Sequence, residues 1–300
     1  MLAARGLRWY LRTNLRGRTR LTGFLTRNLP VFWSVPVHIC DYPPIYVDLR
    51  TDHARFLLRG EPWPAPPREQ AEQTVMRRLV RPGDVAFDIG ANVGLHSVLL
   101  SRLVGPTGHV AAFEPNAALV PNLRRTLRPL GNASLFDCAL SDDVGPAQFF
   151  VPADNMKASL ANWTDRAADG EAREVTCQRA RLDDLPAAGA VPQPDFIKCD
   201  VEGAELLVFR GARRLLDRPD APIVLFEING HTAAGFGLDP MEAKNFLEHF
   251  ELPEYAFYQV RADGSLLRLG TSNPWSNVLA VPRSRLAELS ELGAPVVNAG

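Results

Sequence analysis

The sequence predicts an α/β fold built on a mostly parallel sheet with helices on both faces. Three observations carry that expectation. From residue 68 onward, short apolar runs alternate with helical stretches of roughly 10–15 residues, the pattern of βαβ units. The runs are apolar throughout instead of alternating, as strands buried on both faces are. Polar residues gather just after those runs, at the carboxyl ends of the strands, where such sheets bind ligands.

The chain has 300 residues, 46% of them apolar, so it can bury a large core. Ahead of the proline-rich connector EPWPAPPR (61–68), the segments PIYVDLR (44–50) and ARFLLRG (54–60) read as two short strands. Beyond it, Arg68–Val80 has a helical pattern and Pro82-Gly83-Asp84 makes a turn. Val85–Ile89 is the first strand of the main sheet, and Leu95–Val104 is a helix ended by Gly105 and Pro106. Val110–Phe113 is the second strand, and Asn116–Leu130 a helix ended by Gly131. The third strand lies within Ala133–Leu140, and residues 147–151 and 173–178 form an inserted hairpin around a polar loop. Asp195–Cys199 is the fourth strand, Ala204–Leu216 a helix, Pro222–Ile228 the fifth strand and Pro240–Phe250 a helix. Ala256–Val260 and Asn277–Val281 complete a seven-stranded sheet. The chain divides into a basic extension with short strands (1–67), an α/β domain (68–284) and a tail (285–300).

Composition narrows the function. A net charge of −1 gives no reason to expect nucleic acid as a partner. Cys40, Cys138, Cys177 and Cys199 are scattered without CxxC spacing, which fits neither a zinc site nor a disulfide framework, and a reducing cytosol is the expected compartment. No cluster of acids calls for a metal. No run reaches the roughly 20 apolar residues that span a bilayer, and arginines interrupt any signal-peptide core. Residues 1–40 carry Arg5, Arg8, Arg12, Arg16, Arg18, Arg20 and Arg27 and no acid, with Leu7, Trp9, Tyr10, Leu11 and Leu15 among them. Two readings stand: a basic amphipathic helix resting weakly on anionic lipid, or a helical cap packed on the domain with solvated arginines.

The first main strand runs into Asp88-Ile89-Gly90-Ala91-Asn92-Val93-Gly94 and then a helix. Glycines without side chains let a ligand approach the turn closely. A strand–glycine turn–helix alone is a weak signal, but the spacing is G-x-N-x-G, and an acid precedes the glycines. That acid would repel a pyrophosphate and would attract an ammonium or a sulfonium. No GxxxxGK[ST] is present. The second strand ends at Glu114, followed by Pro115 and Asn116, roughly 20 residues on, where an acid can accept bonds from ribose hydroxyls. A helix-start role is the other reading of Glu114. After the third strand, Asp137 or Asp142 and the backbone of Ala139 lie where an adenine would rest, unless this is an ordinary solvated turn. Lys198, Asp200 and Glu202 crowd the tip of the fourth strand, where unpaired buried charge is costly, so the reading is either an ion pair or a functional site. Glu227, Asn229 and His231 follow the fifth.

The stretches VAFDIGANVGLHS (85–97), AFEPN (112–116), CALSD (138–142), DFIKCDVEGAELLVFRGA (195–212), VLFEING (224–230) and NVLAVP (277–282) resemble the FkbM-type methyltransferases. The resemblance covers about two thirds of the chain, and its most specific piece is D-V-E-G-A-E. It implies the Rossmann-like class I methyltransferase sheet with a reversed last hairpin, S-adenosylmethionine as donor, and a hydroxyl on a sugar, glycan or polyketide-type metabolite as acceptor. By match to these motifs, Asp88, Gly90, Asn92, Gly94 and Glu114 bind the donor, with Asn116 and Ala139 beside them, and Asp200 and Glu202 are active-site residues. Glu202, Asp200 and His231 are the candidate bases, with Glu202 favoured and His231 also readable as a loop histidine. His96 reads as a helix-face residue near the cofactor. The competing readings are a nicotinamide-dependent oxidoreductase, opposed by the missing third glycine, and a non-catalytic module recruited to membranes, opposed by the intact turn.

Overall fold

The structure is a computed structural model, which describes residues 2–13, 16–39, 41–60, 67–153, 157–164, 171–187, 189–269, 276–291 and 296–297. The polypeptide begins with helices α1 (Leu2–Arg12) and α2 (Arg18–Asn28), followed by an antiparallel pair of short strands, β1 (Val35–Val37) and β2 (Ile45–Val47). Helices α3 (Asp52–Gly60) and α4 (Pro67–Leu79) follow. The segment 54–60, expected as a strand, is therefore helical. Its buried residues are Ala54, Leu57 and Leu58, spaced i, i+3, i+4 as on one face of a helix, not on alternate residues. Most of the proline-rich connector, residues 61–66, lies outside the described residues.

The main elements continue with β3 (Val85–Ile89), α5 (Leu95–Val104), β4 (His109–Phe113), α6 (Val120–Leu127) and β5 (Ala133–Phe136). Strands β6 (Ala139–Leu140), β7 (Gly145–Val151) and β8 (Arg173–Ala180) form a separate three-stranded sheet that contains the expected hairpin. Then come β9 (Phe196–Cys199), α7 (Glu205–Arg210), α8 (Arg213–Leu216), β10 (Ile223–Ile228), α9 (Gly230–Gly235) and α10 (Glu242–Glu248). The chain ends with β11 (Ala256–Val260), β12 (Leu266–Arg268), β13 (Ser276–Val281), α11 (Leu286–Glu291) and β14 (Val296–Val297). Three expected helices are shorter than their sequence ranges, the one at 240–250 being confined to Glu242–Glu248. Residues 116–119 form a turn before α6, and 204–216 splits into α7 and α8.

The central sheet has nine strands in the order β14-β12-β11-β13-β10-β9-β3-β4-β5, two more than expected. The additions are the short edge strands β12 and β14, which pair with each other. Strands β5, β4, β3, β9 and β10 run parallel, and β13 is antiparallel to both β10 and β11. From β3 the chain builds outward through β4 and β5, then returns to lay β9 and β10 on the other side. The carboxyl ends of β3 and β9 therefore flank a topological switch point, where open α/β sheets hold ligands. One face of the sheet shares a core with Leu7, Leu11, Phe32, Val37, Ile45 and Leu57, so the N-terminal elements are packed into the fold. The other face packs against α7, α8 and α10 through residues such as Leu206, Phe209, Leu215 and Leu247.

Candidate active site

A cavity of about 280 Å³ lies at the carboxyl tips of the parallel strands. Its first wall is the turn after β3. Gly90 and Ala91 donate their N–H groups to the Phe113 carbonyl at 3.0 Å, fixing the turn to β4. Gly90 has φ +79°, and a Cβ there would sit 1.9 Å from the Asp200 carbonyl oxygen. Gly94 has φ +90°, and a Cβ there would meet Leu123 Cδ1 at 2.8 Å. The structure adds a steric reason for the two glycines that the sequence did not show. The space they leave is filled by protein, so they are required to close the fold around the site. Gly90 lines the cavity with its backbone, whereas Gly94 starts α5 behind it.

Asn92 stands between them at φ 54°, a left-handed conformation uncommon outside glycine. Its N–H donates to Glu114 Oε2 at 2.8 Å, and its Oδ1 is buried with no hydrogen-bond partner while the residue lines the cavity. Glu114 is buried at the tip of β4, and its Oε1 accepts the Asn116 N–H at 2.8 Å. Burial pushes its carboxyl up to about 7, against the lowering effect of those two N–H donors. Each carboxyl oxygen keeps a further lone pair for a ligand. Asn116 is buried behind Glu114, accepts the Ala118 N–H on Oδ1 and does not line the cavity. Cys138, Ala139 and Leu140 line the adjoining wall.

The strand register sets the floor. Asp88 on β3 faces Lys198 on β9 across the ladder, and Glu227 on β10 faces Asn277 on β13. Asp88 is fully buried beneath the cavity. Its Oδ2 accepts the Ser97 hydroxyl at 2.5 Å, and its Oδ1 lies 3.8 Å from Lys198 Nζ. Lys198 Nζ is also 3.4 Å from Asp200 Oδ2. Burial works against the lysine's charge, but Asp200 and Asp88 outweigh it and hold the ammonium protonated. Burial likewise raises the Asp88 carboxyl, opposed by Lys198 and Ser97.

Asp200, Val201 and Glu202 form a loop held from inside by Glu205, whose Oε1 accepts the N–H groups of Val201 (3.0 Å) and Gly203 (3.4 Å). Glu205 is buried, and burial raises its carboxyl to about 7. From the other side, Ser159 Oγ donates to the Glu202 carbonyl at 2.9 Å. Glu202 has φ 55°, a second non-glycine residue in the left-handed region at the same cavity. Such conformations cost about 1–3 kcal/mol and persist where the surroundings hold them. The flanking residues Ala158 and Leu160 cover the cavity, so this part of the 152–172 loop belongs to its wall; residues 154–156 and 165–170 lie outside the described residues.

His231 does not join this set. It is exposed near the start of α9, edge-on to Trp163 with ring centroids 5.4 Å apart, and does not line the cavity. Sequence reasoning missed Glu69 and Glu72 of α4 and the apolar pair Ile39 and Leu57, all of which line the cavity. Glu72 is buried, accepts a hydrogen bond from Asn277 Nδ2 and has Oε2 at 3.5 Å from His96 Nε2. His96 is held neutral: burial, with Lys198 nearby, lowers its imidazole to about 3. The signal available in the sequence was the acid pair at i and i+3 inside a helix, which also describes any solvated helix face. Among the described residues no group of three or more His, Cys, Asp or Glu is arranged to hold a metal.

The methyltransferase FkbM domain profile matches residues 88–257, more than half of the chain. The chain belongs to the FkbM methyltransferase family. It is an S-adenosylmethionine-dependent methyltransferase. It is 29% identical over 187 residues to the hexuronic acid methyltransferase AglP of Haloferax volcanii, covering 61% of this chain and 70% of that one. The 2-O-methyltransferase NoeI of Sinorhizobium fredii is 24% identical over 162 residues, 50% of this chain and 65% of that one. The 31-O-demethyl-FK506 methyltransferase FkbM of Streptomyces tacrolimicus is 29% identical over 163 residues, 44% and 60% of the two chains. The chain thus spans a little under two thirds of the length of the latter two.

Proposed function

We propose that this enzyme methylates a hydroxyl oxygen of a small molecule or glycan, of sugar or polyketide type. The observation that carries the reading is that one cavity is lined both by Asn92 and Glu114, which we take as its donor end, and by Asp200 and Glu202, which we take as its acceptor end. The first end suits the nucleoside and amino-acid parts of the donor. The buried, unpartnered Asn92 Oδ1 and the spare lone pairs of Glu114 are acceptors for ammonium or ribose N–H and O–H donors. In this reading Gly90, Gly94 and Asn116 shape that end, and Ala139 flanks the adenine. Asp88 acts from beneath, by holding Lys198 and Ser97. The names of the relatives, which describe transfer to uronic acid, to a 2-O position and to the 31-O of FK506, support oxygen as the acceptor atom.

S-adenosylmethionine supplies an electrophilic methyl on a sulfonium. The protein's part is to align the acceptor oxygen with the methyl–sulfur bond, which can remove roughly 7–11 kcal/mol of barrier. Its second part is to take the hydroxyl proton. Glu202, held in its strained conformation by Ser159 and the Glu205-bound loop, is the base or orienting group. Asp200, neutralised by Lys198, completes the acidic side of the methyl position. When bound, the donor would supply the methyl group and a neutral thioether as leaving group, and the Glu202 carboxylate would take the hydroxyl proton.

The test is a labelled-methyl screen over hydroxylated acceptors, with the product position read by mass spectrometry, repeated with Glu202→Gln. We expect methyl on oxygen and a loss of roughly 10²–10⁴-fold in turnover for the variant, with calorimetric affinity for S-adenosylmethionine unchanged. Methyl on nitrogen or carbon would overturn the reading.

A further inference from the structure

Helices α1 and α2 combine apolar exposure with basic charge. Among the described residues, seven of the ten large apolar side chains left exposed lie between 2 and 33: Leu2, Trp9, Leu21, Phe24, Leu29, Val31 and Trp33. Leu2, Trp9, Phe24 and Val31 are exposed by 84, 70, 65 and 54%. Scattered exposed hydrophobes are ordinary, but a concentration of large ones marks an interaction surface. The same stretch contains no acid before Asp41, whose carboxylate is paired with Arg102.

Helical geometry of about 100° per residue sorts the side chains of α1. Leu7 and Leu11 fall on one face and are buried in the shared core. Leu2, Arg5, Trp9 and Arg12 fall on the opposite face, and all four are exposed. In α2, Arg20, Phe24 and Arg27 share an exposed face with Leu21 at its margin. Each helix therefore presents large apolar side chains interleaved with arginines, after its inward face is already satisfied. A solvated cap explains the arginines and leaves Trp9 and Phe24 unexplained. A protein partner rich in acids would meet the arginines but offers no partner for the apolar tips among them. An anionic bilayer surface meets both, because headgroups pair with guanidinium while Trp, Phe and Leu enter the boundary below. Among the described residues no helix is long and apolar enough to cross a membrane.

We infer that the α1–α2 face is a peripheral docking surface for anionic lipid. The surface is built into the catalytic body: α1 packs on α3, Arg12 Nε donates to the Arg59 carbonyl at 2.9 Å, and Leu57 of α3 lines the active-site cavity. Lipid docking therefore fixes the orientation of the whole enzyme on the surface.

The experiment is co-sedimentation of the full chain with vesicles of phosphatidylcholine alone or mixed with phosphatidylglycerol. Wild type is expected to sediment with the mixed vesicles, to stay in solution with phosphatidylcholine alone, and to be released by salt. The pair Trp9→Ser and Phe24→Ser should lower partition roughly tenfold or more. Arg5→Gln with Arg20→Gln should lower it by roughly fivefold per charge. Unchanged affinity for S-adenosylmethionine in every variant shows that folding is intact, since none of these residues lines the cavity. No sedimentation on the mixed vesicles, equal sedimentation on both compositions, or wild-type partition in the double serine variant overturns the inference. So does light scattering that finds a dimer which the serine variant dissociates, because the face would then be covered by a second copy.

Discussion

Gly90→Ala tests the idea that the turn is glycine because protein, not ligand, fills the space beside it. The perturbation has two parts. The residue sits at φ +79°, which costs an L side chain about 1–2 kcal/mol. The new Cβ would lie 1.9 Å from the Asp200 carbonyl oxygen, and ordinary contact begins at 3.4 Å, so one of the two must move by about 1.5 Å. Overpacking of that kind costs about 1–3 kcal/mol, which brings the total to about 2–5 kcal/mol. Asp200 cannot yield alone, because its N–H bonds the Ile89 carbonyl at 3.0 Å and its loop is held by Glu205. The displacement therefore reaches Glu202. Urea unfolding gives the stability, calorimetry the donor affinity, and initial rates the turnover. Gly131→Ala is the control: φ is +73°, and nothing lies within 4 Å of its Cβ position, so only the conformational part of about 1–2 kcal/mol should appear. If the two variants lose the same stability and Gly90→Ala keeps wild-type affinity and turnover, the reasoning is wrong.

Three other outcomes are expected. Lys198→Met removes the buried cation beside Asp88 and Asp200 and should cost about 3–5 kcal/mol in urea unfolding at neutral pH, with a smaller loss at acid pH as the buried Asp88 carboxylate, already pushed up by burial, takes up a proton. Ser159→Ala removes the hydroxyl bonded to the Glu202 carbonyl; stability should fall by about 1 kcal/mol, and turnover should fall with donor affinity preserved. Glu114 has its folded-state pKa raised from 4.5 to about 7, so the native state retains a proton that the unfolded chain gives up. Its contribution to stability is then lost as pH rises from about 4.5 to 7, on the order of 3 kcal/mol, and is constant above that. Glu114→Gln should flatten that part of the stability–pH curve, leaving the share that Glu205 contributes in the same direction, and should weaken donor binding.

The parallel strands were legible because each is an apolar run bounded by turn residues, and the polar residues at their tips marked Asn92, Glu114, Asp200 and Glu202 before any coordinates. The failures have physical causes. In ARFLLRG the doublet Leu57-Leu58 satisfies a short strand as well as a helix face, and only packing against α1 and the sheet decides it. Strand β12, three residues long, folds back on β11 through a tight turn, and β14, two residues long, pairs with β12 from a part of the chain about thirty residues further on. The packing constraint on the turn glycines was hidden for the same kind of reason, since a sequence cannot show that Asp200 comes within reach of Gly90. Glu72 was invisible for the same cause: an acid within a helix is marked as buried only when its neighbours, here His96 and Asn277, are known.

The position of those neighbours bears on how one family serves different acceptors. The family profile spans 88–257 and so includes the turn, Glu114, Asp200, Glu202 and Glu227. Ile39, Leu57, Glu69 and Glu72 line the same cavity from before that span, and Asn277, which bonds Glu72, comes from after it. Segments on both sides of that span therefore bear on the cavity, one by lining it and the other by bonding a residue that does. Their contact joins α4 to β13 through a buried polar bond. A change at Ile39, Leu57 or Glu69 alters the shape and charge of that wall without touching the turn, Glu114 or the Asp200–Glu202 loop.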